Sequence, residues 1–198
     1  MSQNLYSHER YKKWFAVLKP IAAILYPSKV YGHENVTDKP CLVCANHSNY
    51  VDPVLVAIAF GKEYPIHFMA KQELFRRKWL ANFIGQLGAF GVDRDGADIS
   101  AVRAVMKYIR AGEKVGIFPE GTRVSTDGAV QAKEGAVRMA AKLKVPIIPV
   151  YVSRNKWIFR KVKIVIGEPI YIPANTDDYQ QVTDELMDTI ARLGRDVG

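Results

Sequence analysis

The feature that most constrains this chain is a regular alternation, from Lys29 onward, of short apolar runs with amphipathic stretches. The run Cys41-Leu-Val-Cys-Ala45 is continuously apolar, as a strand covered on both faces requires. Further strands are predicted over 30–33, 66–70, 89–92, 115–118, 147–152 and 162–166, and helices over 53–60, 72–83, 97–111, 133–143 and 180–193. The helix over 97–111 is the clearest. Ile99, Val102, Val105, Met106 and Ile109 form one stripe, Arg103, Lys107 and Arg110 lie largely opposite, and Gly112 closes it. Strands alternating with helices predict an α/β fold with a mostly parallel central sheet flanked by helices. In such sheets the site lies at the carboxyl ends of strands, which directs attention to the loops after residues 45, 92 and 118.

Ahead of this alternation stands a basic, aromatic opening. Tyr11, Trp14, Phe15 and Leu18 share one helical face, and Pro20 is expected to break the helix and start another. The division expected is therefore a two-helix element over 1–28 followed by one α/β domain over 29–198. Rings beside lysines suit a lipid headgroup boundary, so Trp14 and Phe15 are candidate membrane contacts. An amphipathic helix packed on the core fits the same pattern. Phe75, Arg76, Arg77 and Trp79 form a second basic, aromatic group that reads either as a membrane-facing rim or as a solvated helix face. No apolar stretch reaches the roughly 20 residues needed to span a bilayer, and the opening does not read as a cleavable signal. The formal net charge of +8 predicts anionic partners without choosing among them.

The only cysteines, Cys41 and Cys44, stand in CxxC spacing. A zinc site needs two further ligands of matching spacing, which are missing, so the pair is expected to be reduced core residues of a strand. No metal site is expected.

Each of the three loops carries possible chemistry. In the first, His47 precedes Asp52 and Pro53. On one continuous helix the two would point about 140° apart. Asp-Pro is also how a helix begins, with Asp as the cap, which leaves His47 in the preceding loop where the two can meet. A carboxylate on one imidazole nitrogen frees the other to accept a proton from an alcohol. Taken alone, the loop fits a capping Asp beside a chance histidine better. The second loop ends in Asp93-Arg94, where Arg94 is either a phosphate ligand or part of a surface ion pair. The third runs Phe118-Pro-Glu-Gly-Thr-Arg123. Gly121 allows close approach of backbone to a ligand, Arg123 offers a second fork of donors, and Glu120 can orient that arginine or accept a hydroxyl. A glycine turn with an internal Glu–Arg pair is the alternative.

Taken together, Asn46-His47 with Asp52, Gly88-Ala-Phe-Gly-Val-Asp93-Arg94, Phe118-Pro-Glu-Gly-Thr-Arg123 and Val145-Pro-Ile-Ile-Pro-Val150 resemble the four blocks of the glycerolipid acyltransferase family, over roughly Tyr31 to Pro169. Within it the resemblance is to 1-acylglycerol-3-phosphate acyltransferases. It implies His47 as general base with Asp52 as its partner. It also implies Arg94, Glu120, Gly121, Thr122 and Arg123, with Lys71, as the phosphate-binding set. The implied substrates are lysophosphatidic acid and a thioester, acyl-CoA or acyl-carrier protein, with no cofactor. The implied location is the cytoplasmic face of an anionic membrane, peripheral or monotopic. Ser48 is outside a G-x-S-x-G elbow, which argues against an acyl-serine route. Backbone amides near Gly121 are a candidate oxyanion site. A hydrolase using the same pair remains open, as does a nucleic-acid-binding module. The latter would explain the charge, yet no basic helix, zinc set or aromatic binding motif accompanies it, and no nucleic-acid partner is expected.

Overall fold

The computed structural model describes residues 5–92, 99–128, 130–173 and 175–196. The chain opens with helix α1 (His8–Leu25) and strand β1 (Ser28–Tyr31), then β2 (Leu42–Ala45), α2 (Asp52–Phe60), β3 (Ile66–Lys71), α3 (Lys78–Gln86) and β4 (Phe90–Val92). It continues through α4 (Ile99–Arg110), β5 (Lys114–Ile117), α5 (Gly135–Leu143), β6 (Ile147–Val152), β7 (Val162–Ile166) and α6 (Tyr179–Asp196). The strands form one seven-stranded sheet in the order β1-β7-β6-β2-β5-β3-β4. Pairing is parallel from β6 across to β4; β7 runs antiparallel to β6, and β1 parallel to β7. The mostly parallel α/β sheet expected from the sequence is the fold observed.

The central strands are buried along almost their whole length, only Tyr151 of β6 being half-buried, as their largely apolar runs require. Their alternate side chains feed two cores. On one face Val43, Ala45, Phe68, Ile148 and Val150 pack against Leu55, Val56, Ala59 and Phe60 of α2, with Ala22 of α1 alongside. On the other, Leu42, Cys44, Val115 and Ile147 meet Val105 and Ile109 of α4, Val137 and Ala140 of α5, and Leu186 and Ile190 of α6. Cys41 and Cys44 are free, buried thiols, and burial pushes Cys41 up to about 12 and Cys44 higher still. They are core residues, as the sequence suggested.

The N-terminal element is a single helix rather than two, with Pro20 inside it. Pro20 lacks the N–H that would bond to Ala16, which removes one rung, but contacts on both sides of it hold the helix together. Before it, Tyr11 and Phe15 are buried and Lys12 pairs with Glu63 at 2.7 Å; after it, Ala22 and Tyr26 pack on the sheet core. Ser7 caps the first turn by accepting the N–H of Arg10 at 3.2 Å. The segment 72–83, read as helical, divides into a 3₁₀ turn over Gln72–Arg76 and the start of α3.

Candidate active site

Three strand ends converge on one cavity of about 580 Å³. Its walls are apolar: Tyr11, Phe15 and Leu18 of α1, Val54, Ala57 and Ile58 of α2, Ile66, Phe68 and Ala70 of β3, and Leu80, Phe83 and Ile84 of α3. The same cavity is lined by His47, Tyr50, Lys71, Glu73, Thr122 and Arg123, with Gly121 among them. The topology sets this arrangement. Strands β2 and β5 are adjacent and parallel, so the loops following Ala45 and Ile117 leave the sheet side by side.

His47 and Asp52 meet. The imidazole Nδ1 lies 3.0 Å from Asp52 Oδ2, and the same oxygen accepts the backbone N–H groups of Ser48 and Asn49, each at 2.7 Å. Asp52 is therefore not a helix cap. It is the first helical residue, Val51 holds the cap position, and the carboxylate turns back toward the loop that carries His47. Burial pushes the Asp52 carboxyl upward, yet bonds from His47, Lys156 and the Asn49 amide outweigh this and hold it below the usual carboxylate range. An ionised carboxylate only accepts, so Nδ1 carries the proton and Nε2 is the basic nitrogen left for a ligand. The ring stacks on Phe118 at 4.1 Å, which fixes its plane at the cavity wall.

The backbone of His47 is held as firmly as its ring. Its N–H donates to Glu120 Oε2 at 2.7 Å, and its carbonyl accepts the N–H of Val124 at 2.8 Å. Glu120 is thus placed differently from the sequence expectation. It is buried, its second oxygen pairs with Arg154, and it orients neither Arg123 nor a ligand at the cavity mouth. Arg123 instead lies over the Tyr50 ring at 3.7 Å and donates to its hydroxyl at 2.9 Å. Lys71, Gly121 and Thr122 line the same cavity, whereas Arg94 lies outside the described residues. Gly121 has φ of 67°, a left-handed conformation that suits glycine, but its amide donates to the Phe118 carbonyl at 2.9 Å. That donor is occupied within the loop.

Two residues essential to this geometry escaped the sequence reading. Lys156, whose side chain is wholly buried, places Nζ 2.8 Å from Asp52 Oδ1 and 2.7 Å from Ser48 Oγ. Arg154 joins Glu120 to Asp127 and to the Val124 carbonyl. Both stand in the loop after β6, which ends beside β2 at the same edge of the sheet. The strand-end rule applied to residue 152 as well as to 45, 92 and 118 would have reached them.

The membrane-contact expectation also changes. Phe15 is buried against the cavity, and Trp14 packs edge-on against Phe83 at 5.0 Å and bonds to Gln86 at 3.1 Å, so both face inward. Phe75 is half-buried, while Arg76, Arg77 and Trp79 are exposed. No described helix is long and apolar enough to cross a membrane.

A histidine held by a buried carboxylate at the wall of a largely apolar cavity, on a mostly parallel α/β sheet, is an arrangement suited to an enzyme. Its class is fixed by comparison: residues 27–153 match the acyltransferase family model, and the chain belongs to that family. A 1-acyl-sn-glycerol-3-phosphate acyltransferase of Bacillus subtilis is 38% identical over 167 residues, spanning 81% of this chain and 82% of the relative. One of Streptococcus pneumoniae is 32% identical over 165 residues, 78% of this chain and 57% of that protein. Among solved structures, the 1-acyl-sn-glycerophosphate (LPA) acyltransferase PlsC of Thermotoga maritima shares the fold with a TM-score of 0.70. That match covers 95% of this chain and 78% of the other at 22% identity.

Proposed function

We propose that this chain transfers a fatty acyl group from acyl-CoA or acyl-carrier protein to the free sn-2 hydroxyl of 1-acyl-glycerol 3-phosphate, forming phosphatidic acid for phospholipid synthesis. The observation that carries this reading is His47, oriented by Asp52, at the wall of a largely apolar cavity. Relatives named for that reaction support the choice of acceptor.

In the reaction, Nε2 of His47 takes the proton of the acceptor hydroxyl as its oxygen attacks the thioester carbonyl. Collapse of the tetrahedral intermediate breaks the C–S bond, and the imidazolium returns the proton to the departing thiolate. Asp52 stabilises the imidazolium without itself becoming protonated. Arg123, fixed over Tyr50, and Lys71 bind the acceptor phosphate and so hold its hydroxyl near His47. Arg94 is assigned to the same phosphate by its motif. The apolar cavity takes the acyl chain. Replacement of His47 by alanine tests the assignment: acyl transfer to lysophosphatidate is expected to fall at least about a hundredfold. Near-normal turnover by a folded H47A protein would sink the mechanism.

The enzyme works at an anionic bilayer surface, on its cytoplasmic side. Along the outer side of α1, Val17, Ile21 and Ile24 follow helical spacing and are exposed. Trp157, Ile158 and Phe159, at the tip of the β6–β7 hairpin, are exposed as well, and the Phe159 amide donates to the Leu25 carbonyl at 2.7 Å. Stripe and tip therefore adjoin, with exposed Arg160 and Lys161 beside them to meet anionic headgroups.

A further inference from the structure

Lysine is an expensive residue to bury. The Lys156 side chain gives up all contact with water, and its ammonium donates to Ser48 Oγ at 2.7 Å and to the Ser153 carbonyl and pairs by charge with Asp52 Oδ1 at 2.8 Å. Burial pushes the ammonium below the usual lysine range, while the Asp52 charge pulls it back. Such a pair is a weak device for stability, since well-packed apolar residues of similar volume often serve as well or better. Its placement suggests another use. Asp52 offers one oxygen to the His47 ring and the other to Lys156.

We infer that Lys156 is a positioning residue of the reaction, acting through Asp52 to keep His47 an available base. The argument is one of charge balance. An unpaired Asp52 in this buried setting would hold a protonated imidazole so well that the resting histidine would already carry the proton it must accept. With Lys156 present, the carboxylate is already neutralised, and Asp52, Lys156 and a neutral His47 sum to zero. Protonating His47 leaves one excess positive charge, which is favourable only while the thioester oxygen becomes negative. Stabilisation is then shifted from the ground state to the transition state. The lysine also fixes Asp52 mechanically, because both carboxylate oxygens are held.

The remaining charges around the pair are consistent with this. Glu120 is matched by Arg154, and Asp127 shares that arginine, so neither leaves a free negative charge facing His47. Lys71, Glu73 and Arg123 line the cavity beyond the ring. The same short hairpin segment thus supplies a cation to each of the buried carboxylates that hold His47, Arg154 to the one on its amide and Lys156 to the one on its ring.

This inference rests on the acyl-transfer reading, and its test begins with the wild-type chain, lysophosphatidate and acyl-CoA. Absence of any transfer by the wild type would refute the reaction itself, and the role of Lys156 with it. Given an active wild type, K156M and K156Q remove the charge, and K156Q keeps a hydrogen-bonding group. Expected in either folded variant is a fall in kcat of about a hundredfold at neutral pH, with acceptor KM changed less than about twofold. The acid limb of the kcat/KM profile should move to higher pH, so that part of the lost rate returns in alkaline buffer. K156R, which keeps the charge, should retain the wild-type profile, and ethylamine should partly restore K156A. A purely structural lysine would give a loss that is independent of pH and insensitive to added amine; that result overturns the proposal. So does wild-type kcat in K156M, or failure of both uncharged variants to fold.

Discussion

Phe159 is the residue at which the proposed bilayer face can be tested with least damage to the fold. It is 69% exposed and has φ of 66°, a left-handed conformation uncommon for a bulky side chain. That conformation costs a non-glycine residue about 1–2 kcal/mol. Replacement by glycine removes the strain but makes the unfolded chain more flexible, a loss of about 0.5–1 kcal/mol. A phenylalanine side chain buries roughly 200 Å² when fully covered, so the third already buried here contributes about 1.5 kcal/mol at about 25 cal/mol per Å². These effects nearly cancel. F159G should therefore melt within about 4 °C of the wild type, the shift that 1 kcal/mol gives in a domain of this size.

Bilayer binding should respond far more. The exposed two-thirds of the ring, roughly 140 Å², are worth about 3.5 kcal/mol at about 25 cal/mol per Å² if the bilayer covers them. That corresponds to roughly a three-hundredfold loss of affinity at about 1.4 kcal/mol per factor of ten. The assay is cosedimentation with phosphatidylglycerol vesicles across a lipid titration, paired with a thermal melt of the same sample. Vesicle affinity within about threefold of wild type would refute the docking face. A melting temperature lowered by more than about 10 °C would show that Phe159 packs the fold instead.

Other consequences follow from the charges at the site. D52N preserves volume but leaves the Lys156 ammonium buried without a counter-ion, so it should destabilise the protein by about 3–5 kcal/mol, measured by urea denaturation. Because Asp52 is held below the ordinary carboxylate range, its contribution is full above about pH 4, where the unfolded chain has already released that proton. It is lost as pH falls through the folded value, so the wild-type urea midpoint should drop at acid pH more steeply than that of D52N; parallel curves would contradict this. R123A should raise the acceptor KM by about tenfold or more, the value of a charge-assisted bond to phosphate, with kcat little changed. An unchanged acceptor KM in the folded variant would remove Arg123 from phosphate binding.

Much of this architecture was legible because its signals are local. The runs Cys41–Ala45 and Ile147–Val152 are too apolar and too short for anything but buried strands, and the structure has strands at both. His47 and Asp52 could be paired on paper because Asp-Pro starts a helix close to the loop that holds the histidine. The residues that complete the site lie more than a hundred positions away in sequence: Lys156 and Ser48 differ by 108. A lysine that will be buried looks no different in sequence from one that will be solvated. Periodicity fails at α1 for a different reason. The helix carries an apolar face that turns inward through Tyr11 and Phe15 and a second that turns outward through Val17, Ile21 and Ile24. A pattern of spacing reveals that such faces exist but not which one the core will claim, so the face of Trp14 and Phe15 fits a headgroup contact and a packed helix alike until Phe15 is seen buried. Pro20 misled similarly, since tertiary contacts on both sides of it outweigh one missing hydrogen bond.

The double-faced α1 gives the proposed reaction a physical route for its substrates. Its inner residues Tyr11, Phe15 and Leu18 line the cavity, and its outer stripe lies on the proposed bilayer side. One helix, about 10 Å across, is thus all that separates the two apolar media. An acyl chain moving between them need not cross a thick layer of water, which would cost about 0.8 kcal/mol for every methylene exposed. The charged ends of the substrates have the opposite need. In the proposed reaction His47, Lys71 and Arg123 of the cavity lining would meet them, and the hairpin that carries Lys156 to Asp52 also carries Trp157 and Phe159 to the surface. The proposed bilayer contact and the support of the His47–Asp52 pair therefore share one segment. Movement of that hairpin relative to α2 would disturb Asp52 as directly as it disturbed docking, so a hairpin firmly seated on lipid also holds the base in place.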